Sequence, residues 1–196
     1  MNYVRVVLSL SLLVTLLLTA CGPSNNVRLL NQPPLDAAVL PAPNAAHVCV
    51  VTFADKRSDM TSLGVRRDNS AFVTSDNISD WVSRALADEL ARNGMQVSYS
   101  TMVKQASSGN PDYLVTGELS ALWLRETSAT DLATELSINY TLANRQNRIL
   151  RDAYHSSQSR SGLPSSSAAE NLLLDTLRDL VKPVARKIVQ TIEDKK

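Results

Sequence analysis

The residue types that could carry catalysis are few and scattered along this chain of 196 residues. His47 and His155 are its two histidines, and they lie on different predicted elements without a cysteine or carboxylate at metal-ligand spacing. No serine stands in a Gly-x-Ser-x-Gly motif, and six dispersed glycines provide no phosphate-binding loop. We therefore predict no enzymatic activity, no metal and no cofactor. A hydrolase stays open only if the fold brings His155 to a carboxylate.

Cys21 is the residue for which the sequence predicts a chemical modification. Arg5 precedes an apolar and hydroxyl run over 6–18, which is shorter than the roughly twenty residues of a membrane span. The next residues, Leu18-Thr19-Ala20-Cys21, match the lipobox of bacterial lipoproteins, in which the cysteine thiol is acylated before the signal peptide is cleaved. We predict a signal peptide over 1–20 and lipid, such as palmitate, on Cys21 as a membrane anchor. The alternative is a soluble exported protein with a chance cysteine.

The residue after Cys21 indicates whether the lipoprotein stays in the inner membrane or is sorted to the outer membrane. Lipoproteins retained in the inner membrane of enteric-type bacteria usually carry Asp at this position, and this chain has Gly22. We therefore expect the outer membrane, with the domain facing the periplasm; the inner membrane is the alternative.

Charge and cysteine content limit the kinds of partner and of cysteine chemistry that the chain can have. The chain has 20 Lys+Arg and 19 Asp+Glu, and removal of Arg5 with the signal peptide leaves 19 of each. A chain without net charge makes no general electrostatic case for nucleic acid, so we expect none as a partner. Cys49 is the one thiol left after acylation of Cys21, and its apolar strand-like surroundings predict a buried, inert side chain.

The stretch 21–46 is predicted to be a linker. It holds five of the eight prolines, which cannot contribute to a sheet ladder, and it reads as a semi-extended tether holding the domain clear of the lipid. Apolar residues within it indicate that part of the segment packs on the domain: Val27, Leu29, Leu30, Leu35, Val39 and Leu40. The predicted periplasmic domain then covers 47–196.

Hydrophobic periodicity predicts an α+β domain in the order β-α-β-β-β-α. A first strand over 48–54 is followed by a helix over 78–92, capped at Ser75, Asp76 or Asn77. A short strand over 95–99 follows, and a meander of three strands over 113–125, 132–142 and 148–160 gives the β-β-β of this order. A last helix begins at a capping box formed by Ser167 and Glu170. We expect a single, mostly antiparallel sheet with two main helices packed on one face.

The polar segment after the first strand is the candidate partner-binding loop. Loops carry function more often than sheets, and this one is the most densely charged part of the chain. Its candidate residues are Asp55, Arg57, Asp59, Arg67, Asp68 and Asn69. The alternative is a solvated loop held by weak local ion pairs.

Trp81 and Trp123 offer a second kind of site. Both tryptophans fit packing in or beside the core, whereas an exposed one would serve to stack on a glycan.

The chain resembles the YajG-type family of small, largely uncharacterised outer-membrane lipoproteins. The matching residues are Asp55-x-Arg57, Arg67-Asp68-Asn69 and a helix that closes in Ala91-Arg92-Asn93-Gly94. The resemblance implies location and class, and the family has no established reaction or catalytic residues to carry over. The longer proline-rich linker and Gly64 depart from the family pattern. The order of elements also resembles that of periplasmic lipoproteins that activate cell-wall synthases.

These observations support two hypotheses. The first is a non-enzymatic, lipid-anchored envelope lipoprotein that acts as an accessory module by binding a periplasmic protein partner. The second is a binder of glycan, lipid or peptidoglycan fragments that uses the sheet face and Trp123.

Overall fold

The computed structural model describes residues 24–33, 40–162 and 165–195. The predicted signal peptide, Cys21 and Gly22 lie outside these residues. In chain order the elements are β1 (His47–Val51), β2 (Ala54–Asp55), β3 (Gly64–Val65), β4 (Ala71–Phe72), α1 (Ile78–Arg92), β5 (Gln96–Ser100), α2 (Val103–Ser108), β6 (Tyr113–Glu126), β7 (Asp131–Ala143), β8 (Arg148–Ser161) and α3 (Ser166–Glu193).

The sheet is mixed, and the expectation of a mostly antiparallel sheet in the order β-α-β-β-β-α was wrong. β1, β2 and β3 follow one another along one edge of β6, all parallel to it, and β5 is parallel to β1. The other edge of β6 pairs with β7 in antiparallel fashion, and β7 pairs with β8. The physical reason lies in the connections that contain α1 and α2. After α1 the chain returns beside β1 as β5, and α2 then joins β5 to β6, which runs in the same direction. Such helical crossovers leave the strands they connect parallel.

Two helices and one face of the sheet share the main core, as expected for an α+β domain. Trp81 and Leu86 of α1, Leu177 and Val184 of α3, and Val50 of β1 are all buried in it. α2 lies against the opposite face, where Ala106 packs on the buried Cys49 and on Val51. The predicted burial of the Cys49 thiol is thus confirmed.

The two main helices have different N-cap residues, Asn77 for α1 and Ser165 for α3. α1 spans the predicted residues, and the Asn77 side chain accepts a hydrogen bond from the Asp80 amide as its N-cap. α3 is capped by Ser165, whose Oγ accepts from the Ala168 amide at 3.1 Å. The predicted capping box of Ser167 and Glu170 was wrong, because the Glu170 carboxylate faces a more favourable, charged partner, Arg28.

Residues 24–33 form an extended segment, the strap, that packs on the domain. Val27 is fully buried, and its amide donates to the carbonyl of Val73 at 2.8 Å. Leu29 is buried too, and the carbonyl of Leu30 accepts from the indole N–H of Trp81. The packing indicated by Val27 and Leu29 is confirmed, whereas Leu40 is exposed. Residues 24–33 are therefore packed on the domain and are not a free tether, because proline excludes a sheet ladder but permits an extended, packed chain.

In the described part of the chain, no helix combines the length and the apolar composition needed to cross a membrane.

Candidate functional site

The six residues of the predicted partner-binding loop lie in two separate turns. Asp55 ends β2, and Arg57 and Asp59 lie in the loop that follows it. Arg67, Asp68 and Asn69 instead form the turn between β3 and β4. β2 pairs with β6 at Leu119, and β3 pairs with it at Arg125. Six residues of strand separate these positions, which is about 20 Å. The fold therefore does not bring the six residues together into one cluster.

The first turn is held by a buried guanidinium. Arg57 donates to both carboxylate oxygens of Asp55, with the shortest distance 2.9 Å, and to the carbonyl of Ser62 at 3.0 Å. Burial opposes ionisation of Asp55, but the hydrogen bonds from Arg57 outweigh it and keep the pKa of Asp55 below its usual range. The charge of Arg57 therefore fixes the loop and is not presented to solvent.

Asp59 fixes the tip of the same loop. Its carboxylate accepts hydrogen bonds from the side chains of Ser62 and Thr61, both at 2.6 Å, and from their backbone amides. These bonds hold the pKa of Asp59 well below its ordinary value. These hydrogen bonds hold the loop in one conformation.

The second turn is a tight reversal. Asn69 has a positive φ of 64°, and the Arg66 amide donates to the carbonyl of Ser70 across the turn. Asp68 accepts from the Ser70 hydroxyl and amide, and these bonds lower its pKa. The side chain of Arg67 is exposed, whereas its neighbour Arg66 is buried against Glu126 at 3.0 Å.

A cavity of about 440 Å³ opens beside the first turn. Phe53, Asp55 and Arg57 line it from the β1–β3 side, and Asn77 and Ile78 line it from the start of α1. Met60 stands at its rim with 64% of its surface exposed. A flexible, polarisable methionine above a rigid polar loop suits contact with a protein surface. Sequence reasoning did not select Met60, although an apolar residue inside a charged loop was a usable signal.

A second cavity, of about 500 Å³, lies on the sheet face opposite α1 and α3. Trp123, Glu135 and Ser157 lie side by side across β6, β7 and β8, and Arg125 is on the same face. Trp123 is half-buried there, while Trp81 is in the core. Trp123 alone of the two tryptophans is therefore placed to stack on a ligand.

The same face brings His155 to a carboxylate, as the hydrolase alternative requires. His155 Nδ1 lies 2.8 Å from Ser137 Oγ and 3.7 Å from the nearer oxygen of Glu135. In a catalytic triad the two ring nitrogens have separate partners, one for the nucleophile and one for the carboxylate. Here both contacts use Nδ1, and the His155 and Glu135 side chains are about half exposed. This arrangement does not form a relay.

His47 is distant from this group in the fold. Its Nε2 lies 2.9 Å from Ser98 Oγ on the neighbouring strand β5. Within the described ranges, no three His, Cys, Asp or Glu side chains are grouped closely enough to hold a metal ion.

No family model and no curated protein matches this chain. Among solved structures it is similar to a protein from Xanthomonas campestris assigned to the family DUF330, with a TM-score of 0.61 and 12% identity over 88% of this chain and 95% of that one. It is also similar to an uncharacterised protein, with a TM-score of 0.52 and 11% identity over 76% and 95% of the two chains. At this identity the likeness shows the fold alone.

More distant structures include a minor lipoprotein from Acinetobacter baumannii, with a TM-score of 0.42 and 15% identity over 76% of this chain and 92% of that one. That similarity is too low to support an argument about function.

Proposed function

We propose that this chain is a lipid-anchored lipoprotein of the bacterial cell envelope, attached to the outer membrane through Cys21. The observation that carries this proposal is the lipobox Leu18-Thr19-Ala20-Cys21 directly after an apolar run. Gly22 supports outer-membrane sorting with the domain in the periplasm, and the motifs at 55–57 and 67–69 support membership of the YajG-type family.

The second part of the proposal is a non-catalytic role as an accessory module that binds a periplasmic protein. The loop beside the first cavity supports this role, because the charges of Arg57 and Asp59 are satisfied within it and the apolar side chain of Met60 is exposed. A rigid loop with an apolar residue at the rim of a cavity is typical of a protein contact and offers no nucleophile and base.

The anchor is tested by labelling cells with a palmitate analogue. We expect the wild-type chain and Cys49→Ala to carry the label and to fractionate with the outer membrane, because Cys49 is buried inside the domain. Cys21→Ala should lose both the label and the membrane association. Labelling of Cys21→Ala, or a wild-type chain without label, would contradict the proposal.

The partner is tested by photo-crosslinking in living cells. A photoreactive amino acid at Met60 should give a defined product of higher mass, whereas the same residue at Met102 should not. The two methionines form a matched pair, since they are 64% and 61% exposed on different elements. No product at residue 60, or identical products at 60 and 102, would contradict a protein contact at this loop.

Trp123 favours a second candidate function, the binding of glycan, lipid or peptidoglycan fragments on the open sheet face. A half-buried indole beside Arg125 and Glu135 offers stacking and hydrogen bonding to a sugar or a wall peptide. Trp81→Phe leaves Trp123 as the fluorescent reporter, so titration with wall fragments or lipid should change its emission. No response in Trp81→Phe, or the same response in Trp123→Phe, would rule this candidate out.

A further inference from the structure

The strap fixes the point at which the chain leaves the domain towards Cys21. The carbonyl of Ser24 accepts hydrogen bonds from Arg66 Nη2 at 2.8 Å and from Ser166 Oγ at 3.4 Å. The next residues are paired with the end of β4, because the Val73 amide donates to the carbonyl of Asn25 at 2.9 Å. Ser24 is thus held where the β3–β4 turn meets the start of α3.

Only a short stretch of chain separates this point from the lipid. Ser24 comes three residues after Cys21. Consecutive Cα atoms are 3.8 Å apart, so this stretch cannot reach further than about 11 Å in any conformation. The headgroup layer of one leaflet is about 5–8 Å thick, which uses much of that length. A lipid on Cys21 therefore keeps the Ser24 end of the domain at the membrane surface.

The loops gathered at this end are polar. Glu126, the last residue of β6, accepts from Arg66 and from the Arg67 amide, which joins the β3–β4 turn to the β6–β7 loop. The Gly162 amide donates to the carbonyl of Thr130 at 2.7 Å, which brings the end of β8 to the same loop. We name the surface formed by residues 66–70, 127–130 and 165–167 the proximal end.

The side chains of the proximal end suit a headgroup layer. Arg67 is exposed and offers a guanidinium, the group that best matches a phosphate. Thr127, Thr130 and Ser167 are exposed and offer hydroxyl groups to phosphate and ester oxygens. These residues are suited to contact with headgroups and not to insertion into hydrocarbon.

We propose that the proximal end rests on the phospholipid headgroups of the leaflet that holds the lipid of Cys21. This inference depends on the lipid anchor of the proposed function and adds an orientation to it. β6 has 14 residues and ends at the proximal end, and the β7–β8 turn lies beside its first residues, up to about 43 Å away along the strand. Arg67, Asp68 and Asn69 then face lipid, and the Met60 loop remains available to a protein.

The test places a fluorophore at each end of the full-length lipidated chain in phosphatidylcholine vesicles. Single cysteines, Ala129→Cys at the proximal end and Gln146→Cys at the far turn, are introduced with Cys49→Ala; positions 129 and 146 are both exposed. With a spin label on the lipid headgroups, we expect quenching at least threefold stronger at 129 than at 146. Equal quenching, or stronger quenching at 146, would overturn the orientation.

Vesicle flotation distinguishes a wrong orientation of the domain from the absence of the lipid anchor on Cys21. A chain that does not float overturns the anchor and the orientation together, whereas a chain that floats with equal quenching overturns only the orientation.

A longer tether provides the second variant. Insertion of twelve Gly and Ser residues between Pro23 and Ser24 gives the connection a mean span of roughly 20 Å, which frees the domain from the surface. We expect quenching at 129 to fall to the level at 146, and unchanged quenching would overturn the role given to the short tether.

Discussion

The guanidinium of Arg28 donates to both carboxylate oxygens of Glu170, each at 3.1 Å, across 142 positions of sequence. The Arg28 amide donates to the same carboxylate at 3.2 Å. Glu170 is buried in α3, and these bonds outweigh its burial and lower its pKa from the ordinary value of 4.5. This pair fastens the strap to the last helix, so the strap and the domain behave as one body.

Glu170→Gln is expected to destabilise the domain in a pH-dependent way. A carboxylate whose pKa is lowered by folding stabilises the fold above its unfolded pKa and loses that contribution as the pH falls through its folded pKa. The difference from wild type should be full at pH 7 and should shrink as the pH falls below about 4.5. Urea unfolding over this pH range measures it, with the exposed Glu118→Gln as control. A difference of equal size at pH 7 and pH 3 would contradict this account.

Val27→Ala is expected to lower the free energy of unfolding by about 2 kcal/mol, from two lost methyl groups and the cavity they leave. Val27 is the fully buried side chain of the strap, whereas Leu40 is 77% exposed. Leu40→Ala is therefore the matched control and should change stability by less than about 0.5 kcal/mol. Equal effects of the two substitutions in chemical unfolding would mean that the strap does not belong to the cooperative core.

Arg66→Ala is expected to cost about 3–5 kcal/mol, because it leaves Glu126 buried without its charged partner. The side chains of Arg66 and Glu126 are 8% and 10% exposed, and the Arg66 guanidinium also lies 4.7 Å from the centre of the Phe72 ring. Arg67→Ala removes an exposed charge next to it and should change stability by less than about 0.5 kcal/mol. Thermal unfolding of the two variants compares their stabilities directly. An effect of Arg66→Ala no larger than that of Arg67→Ala would contradict a stabilising role for the Arg66–Glu126 ion pair.

Gly64→Ala is expected to detach β3 from β6 at a cost of about 3 kcal/mol. Gly64 has a φ of 147°, and a Cβ there would lie 1.8 Å from the carbonyl oxygen of Leu124. Gly109→Ala is the control, because its Cβ would have a nearest neighbour at 3.4 Å and its φ is negative. Hydrogen exchange at the Leu124 amide, which donates to the carbonyl of Leu63, reports on the detachment. Unchanged protection in Gly64→Ala would contradict the predicted clash.

The sequence by itself determined the elements that have their own periodicity. The apolar spacing from Ile78 to Leu90 gave the exact extent of α1, and the alternation over 132–142 gave β7 to within one residue at each end. The burial of Cys49 followed from its apolar neighbours. These features depend on residues close together in the chain, and such patterns are visible without a fold.

Only the tertiary structure decided how these elements meet. The parallel pairing of β1 with β5 and β6, the separation of Asp55 from Asp68 into two turns, and the choice of Arg28 as the partner of Glu170 all join distant parts of the chain. Local sequence patterns indicate that a strand has a buried face or that a glutamate could cap its helix. They do not indicate which strand pairs with a given strand, or which distant charged residue pairs with a given glutamate, because the packing of the whole core determines both. For Cys21 the sequence predicts the lipid, and the tertiary structure places Ser24, the point from which we propose that this lipid holds the domain.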